Sequence, residues 1–239
     1  MIVVTLTSWT KRIGNVKKVV ESIMDNTVQP DRVYLNLSKT EFEGIPLPED
    51  LVEYFNSDER LIINWVPGPN TKAMKKVFPI LEYLEDDDII IDADDDILFP
   101  RDLIECRLKD FENNGRKCCI SSNPRLSVGF KGKMRVVSAM SLFQKKMFNR
   151  WKQLYTPAII DTNNDDRTYL TILWLNGYLT VGCTKWSVQE LLEKYDMSLK
   201  ESSLTSSKLV KRGRVYDRIA QNEFSKISSK SILDSFGYW

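Results

Sequence analysis

The stretch Ile89-Ile90-Ile91-Asp92-Ala93-Asp94-Asp95-Asp96-Ile97-Leu98-Phe99-Pro100 decides the fold. Its three consecutive isoleucines predict a strand that is covered on both faces, as in the centre of a parallel sheet. Three consecutive carboxylates then follow at the carboxyl end of this strand, the edge where open α/β sheets bind ligands. Because close carboxylates repel one another, a divalent cation that prefers oxygen ligands is the simplest way to keep all three ionised. We therefore predict a metal-binding loop at residues 94–96.

Two other interpretations of the acidic residues have less support. An EF-hand calcium loop counted from Asp92 would need Gly at the position of Ile97 and Glu at the position of Leu103. A solvated acidic turn is the expectation for Asp86-Asp87-Asp88, which precedes the strand. The metal interpretation therefore applies to the second acidic triplet alone.

Strands and helices alternate on the amino-terminal side of this loop. Short apolar or alternating runs predict strands at residues 2–6, 32–37, 61–65 and 89–91. Apolar residues at helical spacing predict a helix after Gly14-Asn15, and further helices are predicted at 48–55 and at 71–81, where Thr71 is the N-cap. Four strands that alternate with helices over about 90 residues predict βαβ units and a mostly parallel sheet.

The sequence after the acidic loop is less regular. Pro100 starts a predicted helix, and residues 168–174 form a strongly apolar one. Predicted strands cover residues 118–121, 134–140 and 178–181. Ser, Lys and Arg dominate from residue 198 onward. We therefore expect a single α/β domain at residues 1–197 and an appended basic segment at residues 198–239.

The composition of the 239 residues restricts the chemistry. The chain has 34 Lys and Arg against 33 Asp and Glu, and 42% of its residues are hydrophobic, a balance that excludes intrinsic disorder. It has no histidine, which excludes Ser-His-Asp and Cys-His nucleophiles, HExxH zinc sites and any imidazole acid or base. Chemistry must therefore depend on carboxylates, Lys, Tyr or a carboxylate-bound metal. The four cysteines lack CxxC spacing, so we expect reduced core thiols.

Charge is distributed unevenly along the chain. Residues 1–106 hold 11 basic and 21 acidic side chains, whereas residues 107–153 hold 12 basic and 2 acidic side chains. This segregation indicates a metal-binding half and a half that meets an anionic partner. Solvation of exposed helix faces is the alternative explanation of the basic run.

Several motifs resemble those of a known enzyme family. Asp94-Asp95-Asp96 after a hydrophobic strand resembles the DxD motif of glycosyltransferases with the GT-A fold. Thr5-Leu6-Thr7-Ser8-Trp9-Thr10-Lys11-Arg12-Ile13 resembles the first strand and turn of small bacterial and phage enzymes related to glycosyltransferase family 2. Pro30-Asp31-Arg32-Val33 and Gly68-Pro69-Asn70-Thr71-Lys72 resemble the second strand and the Lys-bearing loop of that group. The resemblance covers residues 1–105.

The resemblance implies a GT-A domain at residues 1–197, with a nucleotide-sugar half at 1–105 and an acceptor half at 106–197. It also implies a UDP- or GDP-type sugar donor whose diphosphate is bridged by Mn²⁺ or Mg²⁺. The implied metal ligands are Asp94 and Asp96, and Asp196, Asp217 or water would complete the shell in the absence of histidine. The implied donor-binding residues are Thr5, Thr7, Arg12, Lys72, Asp94 and Asp95.

An inverting transfer also needs a base for the acceptor hydroxyl. The stretch Asn163-Asn164-Asp165-Asp166-Arg167 carries the only other clustered acids in a loop of the second half. In the resembling group, an acidic pair before a helix with a Trp supplies the base, and Trp174 occupies that helix here. We therefore expect Asp166, in preference to Asp165, to act as the base. An N-cap role for Asn164 or Asp165 is the alternative.

The acceptor is expected to be an anion. Between Arg107 and Lys152, basic residues are interleaved with aromatic residues, and the expected contacts are Lys131, Lys133 and Arg135. A cell-surface glycan of the capsule or lipopolysaccharide type is the first candidate. A modified base of DNA, as in phage enzymes, is the second, because this composition also suits phosphate tracking and base stacking.

Two other classes of function remain open on sequence grounds. A nucleotidyltransferase would share the α/β half and the metal, but residues 7–14 lack the Gly-rich loop that such enzymes usually show. A non-catalytic nucleic-acid-binding module would keep the basic region without needing the acidic loop. No apolar run reaches the roughly 18 residues that span a bilayer, and no signal peptide is recognisable. We expect a cytoplasmic protein, compatible with peripheral contact at the inner membrane face or, if it is viral, with the host cytoplasm.

Overall fold

The computed structural model describes residues 1–123, 125–126, 135–197 and 219. The strands are β1 (Ile2–Thr7), β2 (Arg32–Ser38), β3 (Leu61–Val66), β4 (Ile89–Ala93), β5 (Cys118–Ser121), β6 (Leu142–Gln144) and β7 (Leu179–Gly182). They form one seven-stranded sheet in the order β3-β2-β1-β4-β6-β5-β7. This arrangement confirms the predicted α/β fold with a mostly parallel sheet. The predicted basic segment, residues 198–239, lies outside the described residues except for Ile219.

Six helices flank the sheet in the described part of the chain. They are α1 (Val16–Met24), α2 (Glu49–Asn56), α3 (Leu103–Asn113), α4 (Pro157–Asp161), α5 (Asp165–Leu175) and α6 (Val188–Lys194). Helix α1 buries the same apolar residues whose spacing predicted it, namely Val16, Val19, Val20, Ile23 and Met24. None of the helices in this part is long and apolar enough to cross a membrane.

Strand β4 occupies the centre of the sheet, as its isoleucines predicted. All five of its residues are buried, and it pairs in parallel with β1 and antiparallel with β6. Leu6 of β1 pairs with Ala93 of β4, so these two parallel strands end at the same edge of the sheet. The turn after β1 and the acidic triplet after β4 therefore lie side by side.

Aromatic packing attaches helix α5 to this framework. The ring of Tyr169 on α5 contacts the rings of Phe78 and Phe148 edge-on, with centroids 5.5 and 5.8 Å apart. Phe143 on β6 contacts Tyr169 and Phe148 in the same way. Because all four side chains are buried, this cluster fixes the amino-terminal end of α5 beside the ligand edge of the sheet.

The helix predicted at residues 71–81 is wrong. This segment forms two short 3₁₀ turns, Lys72–Lys76 and Phe78–Ile80, and the Thr71 side chain caps neither. Pro79 lacks a backbone N–H and disfavours helical backbone at the preceding residue, so the α-helix cannot continue through it. Lys72 also takes a left-handed conformation, with φ of 55°. The segment is therefore an irregular loop that lies against β1 and β2.

The strand predicted at residues 134–140 is displaced along the chain. In the described part, Arg135 belongs to an isolated bridge with Leu126 and not to a strand, and the strand itself is β6. The backbone turns at Met140, whose φ is 60° and whose N–H donates to the carbonyl of Asp92. This turn directs β6 antiparallel to β4, which the sequence pattern did not predict.

Candidate active site

The acidic triplet begins directly after β4, and its last two members are held by the turn after β1. Ser8 Oγ donates to Asp95 Oδ2 at 2.6 Å. Arg12 Nη1 lies 3.0 Å from Asp95 Oδ1 and 2.7 Å from Asp96 Oδ2. Sequence reasoning expected Arg12 to meet the nucleotide; in this structure, its guanidinium joins the turn after β1 to the acidic loop.

Burial disfavours the ionised form of two carboxylates in the triplet. It raises the pKa of Asp95. Burial, together with the charge of Asp94, raises the pKa of Asp96 to about 6 in spite of the neighbouring Arg12. The side chain of Asp94 is 35% exposed and faces the cavity. The three carboxylates of the loop thus carry more formal negative charge than Arg12 alone balances.

Lys76 forms the other cationic contact of the loop. Its Nζ lies 2.6 Å from Asp94 Oδ1, 3.2 Å from Asp165 Oδ2 and 3.8 Å from Asp92 Oδ2. Burial lowers the pKa of Lys76, but these carboxylates outweigh it and raise the pKa well above the ordinary lysine value. Burial raises the pKa of Asp92 to about 7. The sequence analysis did not predict Lys76, because the family resemblance pointed to Lys72 in the same segment.

The acid pair predicted as the base lies at the start of α5 and lines the same cavity. Asn164 caps this helix, since its side chain accepts a hydrogen bond from the backbone N–H of Arg167 at 3.3 Å. Asp165 and Asp166 are therefore not needed as the cap. Burial, followed by the charge of Asp165, raises the pKa of Asp166 well above its usual range.

One cavity of about 820 Å³ joins these groups. Its charged lining comprises the cations Arg12, Lys72, Lys75 and Lys76 and the acids Glu41, Asp94, Asp95, Asp96, Asp165, Asp166 and Asp196. Four formal positive charges thus face seven formal negative charges. This formal excess of acids disfavours an anionic ligand and favours a cation.

Two further cavity residues, Lys75 and Glu41, were not predicted from the sequence. Lys75 Nζ contacts Asn70 Oδ1 at 2.8 Å and Glu41 Oε2 at 3.5 Å, and its side chain is almost completely buried. Burial lowers the pKa of Lys75, against the opposing charge of Glu41. The adjacent Lys75-Lys76 pair was visible in the sequence, but only the 3₁₀ geometry of the segment directs both side chains towards the cavity.

Two of the remaining predicted donor-binding residues line the cavity, and one does not. Thr7 lines the cavity, and its hydroxyl donates to the carbonyl of Asn36 at 2.7 Å. Lys72 also lines the cavity, where its Nζ lies 3.2 Å from Asp161 Oδ1. Thr5 is fully buried, outside the cavity lining, and its hydroxyl donates to the carbonyl of Lys76. In place of the expected ligand contact, Thr5 therefore supports the Lys76 segment.

The basic residues between positions 107 and 153 make more contacts within the protein than their composition predicted. Arg107 is buried and donates to the carbonyls of Met140, Lys185 and Trp186. Ion pairs join Lys145 to Asp86, Lys146 to Asp87, Lys152 to Glu82 and Arg116 to Glu112. The interleaved aromatic residues Phe111, Phe143 and Phe148 belong to the core. Much of the positive charge of this segment is therefore used within the fold.

The expected acceptor residues are placed only in part. Lys131 and Lys133 lie outside the described residues. Arg135 is described, but it is not among the residues that line the cavity. Its backbone N–H and carbonyl instead contact Thr180 on β7.

The donor set at the cavity suits a hard divalent cation. In residues 1–123, 125–126, 135–197 and 219, no three Asp, Glu or Cys side chains are placed to hold one metal ion among themselves. Two carboxylates that face a cavity nevertheless suit Mg²⁺ or Mn²⁺ with phosphate oxygens as further ligands, since Mg²⁺ is usually bound in this way. Asp94 and Asp96 fit this description. Asp196 lines the same cavity and raises the pKa of Asp96, whereas Asp217 is not described.

Comparisons with known proteins identify the fold. Residues 1–349 of TarS from S. aureus superpose with a TM-score of 0.54 at 12% identity, covering 94% of this chain and 72% of that one. The same TarS fragment in complex with UDP-GlcNAc gives a TM-score of 0.53 at 12% identity, over 98% and 71% of the two chains. Its complex with UDP gives 0.50 at 11% identity, over 99% and 75%. The chain therefore has the GT-A-like α/β architecture of TarS. No protein-family model and no curated sequence matches the chain.

Proposed function

We propose that the protein is a metal-dependent glycosyltransferase that moves a sugar from a nucleotide-sugar donor to an anionic acceptor, with inversion. The main support for this proposal is a cavity that is lined both by the acidic loop at 94–96 and by the acid pair Asp165 and Asp166. The likeness to TarS, whose structures contain UDP and UDP-GlcNAc, supports a nucleotide-sugar donor.

Charge in the cavity supports the metal requirement. The lining carries a formal excess of three negative charges, so a nucleotide diphosphate would be repelled in the absence of a cation. Asp94 and Asp96 would hold Mn²⁺ or Mg²⁺, which stabilises the charge that develops on the leaving diphosphate. Ser8 and Arg12 keep the loop in place through Asp95 and Asp96.

Asp166 is the proposed base. Its carboxylate lines the cavity, whereas the member of the acid pair that binds Lys76 is Asp165. The raised pKa makes the ionised carboxylate of Asp166 a stronger base than that of an ordinary aspartate. In the proposed reaction, a carboxylate oxygen of Asp166 takes the proton of the acceptor hydroxyl as the hydroxyl oxygen attacks the anomeric carbon of the donor sugar. The bond from that carbon to the diphosphate oxygen breaks, and the nucleoside diphosphate leaves with the bonding electron pair.

The proposed acceptor is an anionic cell-surface glycan. Duplex DNA needs a continuous row of accessible cations along its phosphates. Here Lys145, Lys146 and Lys152 pair with acids of the same chain, and Arg107 is buried. These contacts reduce the charge available for phosphate tracking and favour the glycan over the phage-type DNA acceptor.

A donor screen tests the proposal. The purified protein would be incubated with UDP- and GDP-sugars and Mn²⁺, with water as the acceptor of the sugar, and nucleotide release would be measured with and without EDTA. We expect release from one donor class, lost when EDTA is added. The Asp96→Ala variant, which removes a proposed metal ligand, is expected to lose this release. Asp86→Ala is its matched control, because it removes an aspartate outside the cavity. Absence of release from every donor, with no nucleotide binding in the presence of Mn²⁺, would contradict the proposed function.

A further inference from the structure

Lys76 lies between the two acidic groups of the cavity. Its Nζ is 2.6 Å from Asp94 on the acidic loop and 3.2 Å from Asp165 on α5. Asp92, at 3.8 Å, is the third carboxylate around the same ammonium. Only 7% of the lysine side chain is exposed, so these carboxylates replace most of its hydration. A buried ammonium of this kind is maintained only where its partners hold it in place.

The main chain that carries Lys76 is itself fixed to the sheet. The Lys76 carbonyl accepts hydrogen bonds from Thr5 Oγ1 on β1 and from Asn36 Nδ2 on β2, the latter at 3.1 Å. Asn36 Oδ1 in turn accepts from Asn64 Nδ2 on β3 at 2.7 Å. Thr5 and Asn36 are completely buried. These hydrogen bonds link the backbone of Lys76 to three parallel strands, although Lys76 belongs to an irregular loop. They therefore restrict the position of the residue that carries the ammonium.

We propose that Lys76 is a positioning residue that fixes the acid pair of α5 relative to the acidic loop at 94–96. This inference rests on the proposed function and assigns different roles to the two acids. Asp165 is bound to the lysine, and Asp166 is left to take the acceptor proton. A displacement of about 1 Å between reacting groups can cost about 10²-fold in rate, so a fixed separation has a direct effect on turnover.

The Lys76→Met variant provides the first test. It keeps most of the length of the side chain and removes the link between Asp94 and Asp165. We expect kcat for nucleotide release to fall by about 10²-fold, while KM for the donor and the Kd of UDP with Mn²⁺, measured by calorimetry, change by less than about threefold. Lys146→Met is the matched control, because Lys146 pairs with Asp87 outside the cavity.

A double variant separates positioning from loss of charge balance. Lys76→Met alone leaves buried carboxylates without their cation and is expected to lower Tm. Adding Asp92→Asn restores the charge count, and the introduced amide would retain an acceptor oxygen for the N–H of Ser141, which now lies 2.9 Å from Asp92 Oδ1. We expect the double variant to recover Tm but not kcat, because the link between Asp94 and Asp165 is still absent.

The outcomes are distinguishable. If Lys76→Met keeps the wild-type kcat per folded molecule, or if the double variant recovers kcat together with Tm, the positioning role is overturned and the proposed function stands. If the wild type neither binds UDP or GDP with Mn²⁺ nor releases nucleotide from any donor, the proposed function fails and the inference fails with it. Low kcat with unchanged nucleotide binding in both variants would support the positioning role.

Discussion

Two triplets of aspartate flank strand β4, and their surroundings differ. Asp86-Asp87-Asp88 precedes the strand, and its side chains pair with Lys145, Lys146 and the amino terminus. Asp94-Asp95-Asp96 follows the strand and lines the cavity. The composition of the two triplets is identical, so the end of the strand at which a triplet lies decides its role.

The first triplet is not a simple solvated turn. Asp88 is buried, with Oδ1 2.6 Å from the Met1 ammonium and Oδ2 accepting from the N–H of Glu85 at 2.8 Å. Gln144 Nε2 also donates to the side chain of Asp87 at 3.0 Å. These acids stabilise the entry to β4. The second triplet carries three formal negative charges against two contacting cations, Arg12 and Lys76, which is unfavourable for folding and favourable for binding a cation.

The largest expected effect is on sugar transfer. Asp96→Ala should abolish transfer, with a loss of at least about 10²-fold, because it removes a proposed metal ligand. Asp87→Ala should change the rate by less than about twofold per folded molecule, because Asp87 lies outside the cavity. Nucleotide release from the active donor, normalised to folded protein, measures both. Equal effects of the two variants would remove the distinction between the triplets.

The next effect concerns the base. Asp166→Asn should lower kcat by about 10²-fold or more and leave the Kd of the nucleotide nearly unchanged, because general base catalysis contributes on this scale. The measurement is donor turnover together with calorimetric nucleotide binding. A variant that melts early but keeps its activity per folded molecule would show that the pair at the start of α5 is structural only.

A smaller effect concerns the acceptor. Reversing Lys131, Lys133 and Arg135 to Glu should raise the acceptor KM and spare the donor KM, since long-range attraction of an anion is lost. With a glycan acceptor, the dependence on salt should be shallow, whereas duplex DNA should dissociate steeply and log-linearly with salt. An unchanged acceptor KM at low salt would refute the polyanion hypothesis.

The smallest effect is on stability, and it depends on pH. Burial raises the pKa of Asp92 to about 7 and, together with Asp94, that of Asp96 to about 6, from an ordinary value of 3.8. Between about pH 4 and about pH 7, Asp92 and Asp96 therefore bind more protons in the folded state than in the unfolded state. The free energy of unfolding falls as pH rises through this range. We expect Tm to drop by a few degrees between pH 5 and pH 8, and we expect the drop to shrink in Asp92→Asn. Asp86→Asn should leave it unchanged, and an equal drop in both variants would contradict this origin.

The regular elements of the first half were predictable because their patterns are local. The isoleucines of β4 and the spacing in α1 identified a buried strand and an amphipathic helix without any tertiary information. The segment from Lys72 to Ile80 was predicted wrongly, because its apolar spacing is helical although Pro79 is a local signal against a continuous helix. β6 has only three residues, and its antiparallel pairing depends on the turn at Met140.

The site residues that belong to sequence motifs were predicted, whereas those brought to the site by tertiary contacts were not. Asp94, Asp96 and the pair Asp165 and Asp166 were expected, and the structure places all four on one cavity. Lys76 lies 18 residues before Asp94 and 89 before Asp165, and only the fold brings the three together. The family resemblance pointed to Lys72 and gave no information on the 3₁₀ turn, in which Lys76 contacts both Asp94 and Asp165.

Calorimetric titration of UDP and GDP into the wild-type protein, with and without Mn²⁺, tests most directly whether the acidic loop binds a nucleotide through a metal. We expect one nucleotide to bind only when Mn²⁺ is present. This binding should be lost in the Asp94→Ala/Asp96→Ala variant and kept in the Asp86→Ala/Asp87→Ala variant. Metal-independent binding, or equal loss in both double variants, would contradict the claim that the triplet at the carboxyl end of β4 holds the cation for the nucleotide.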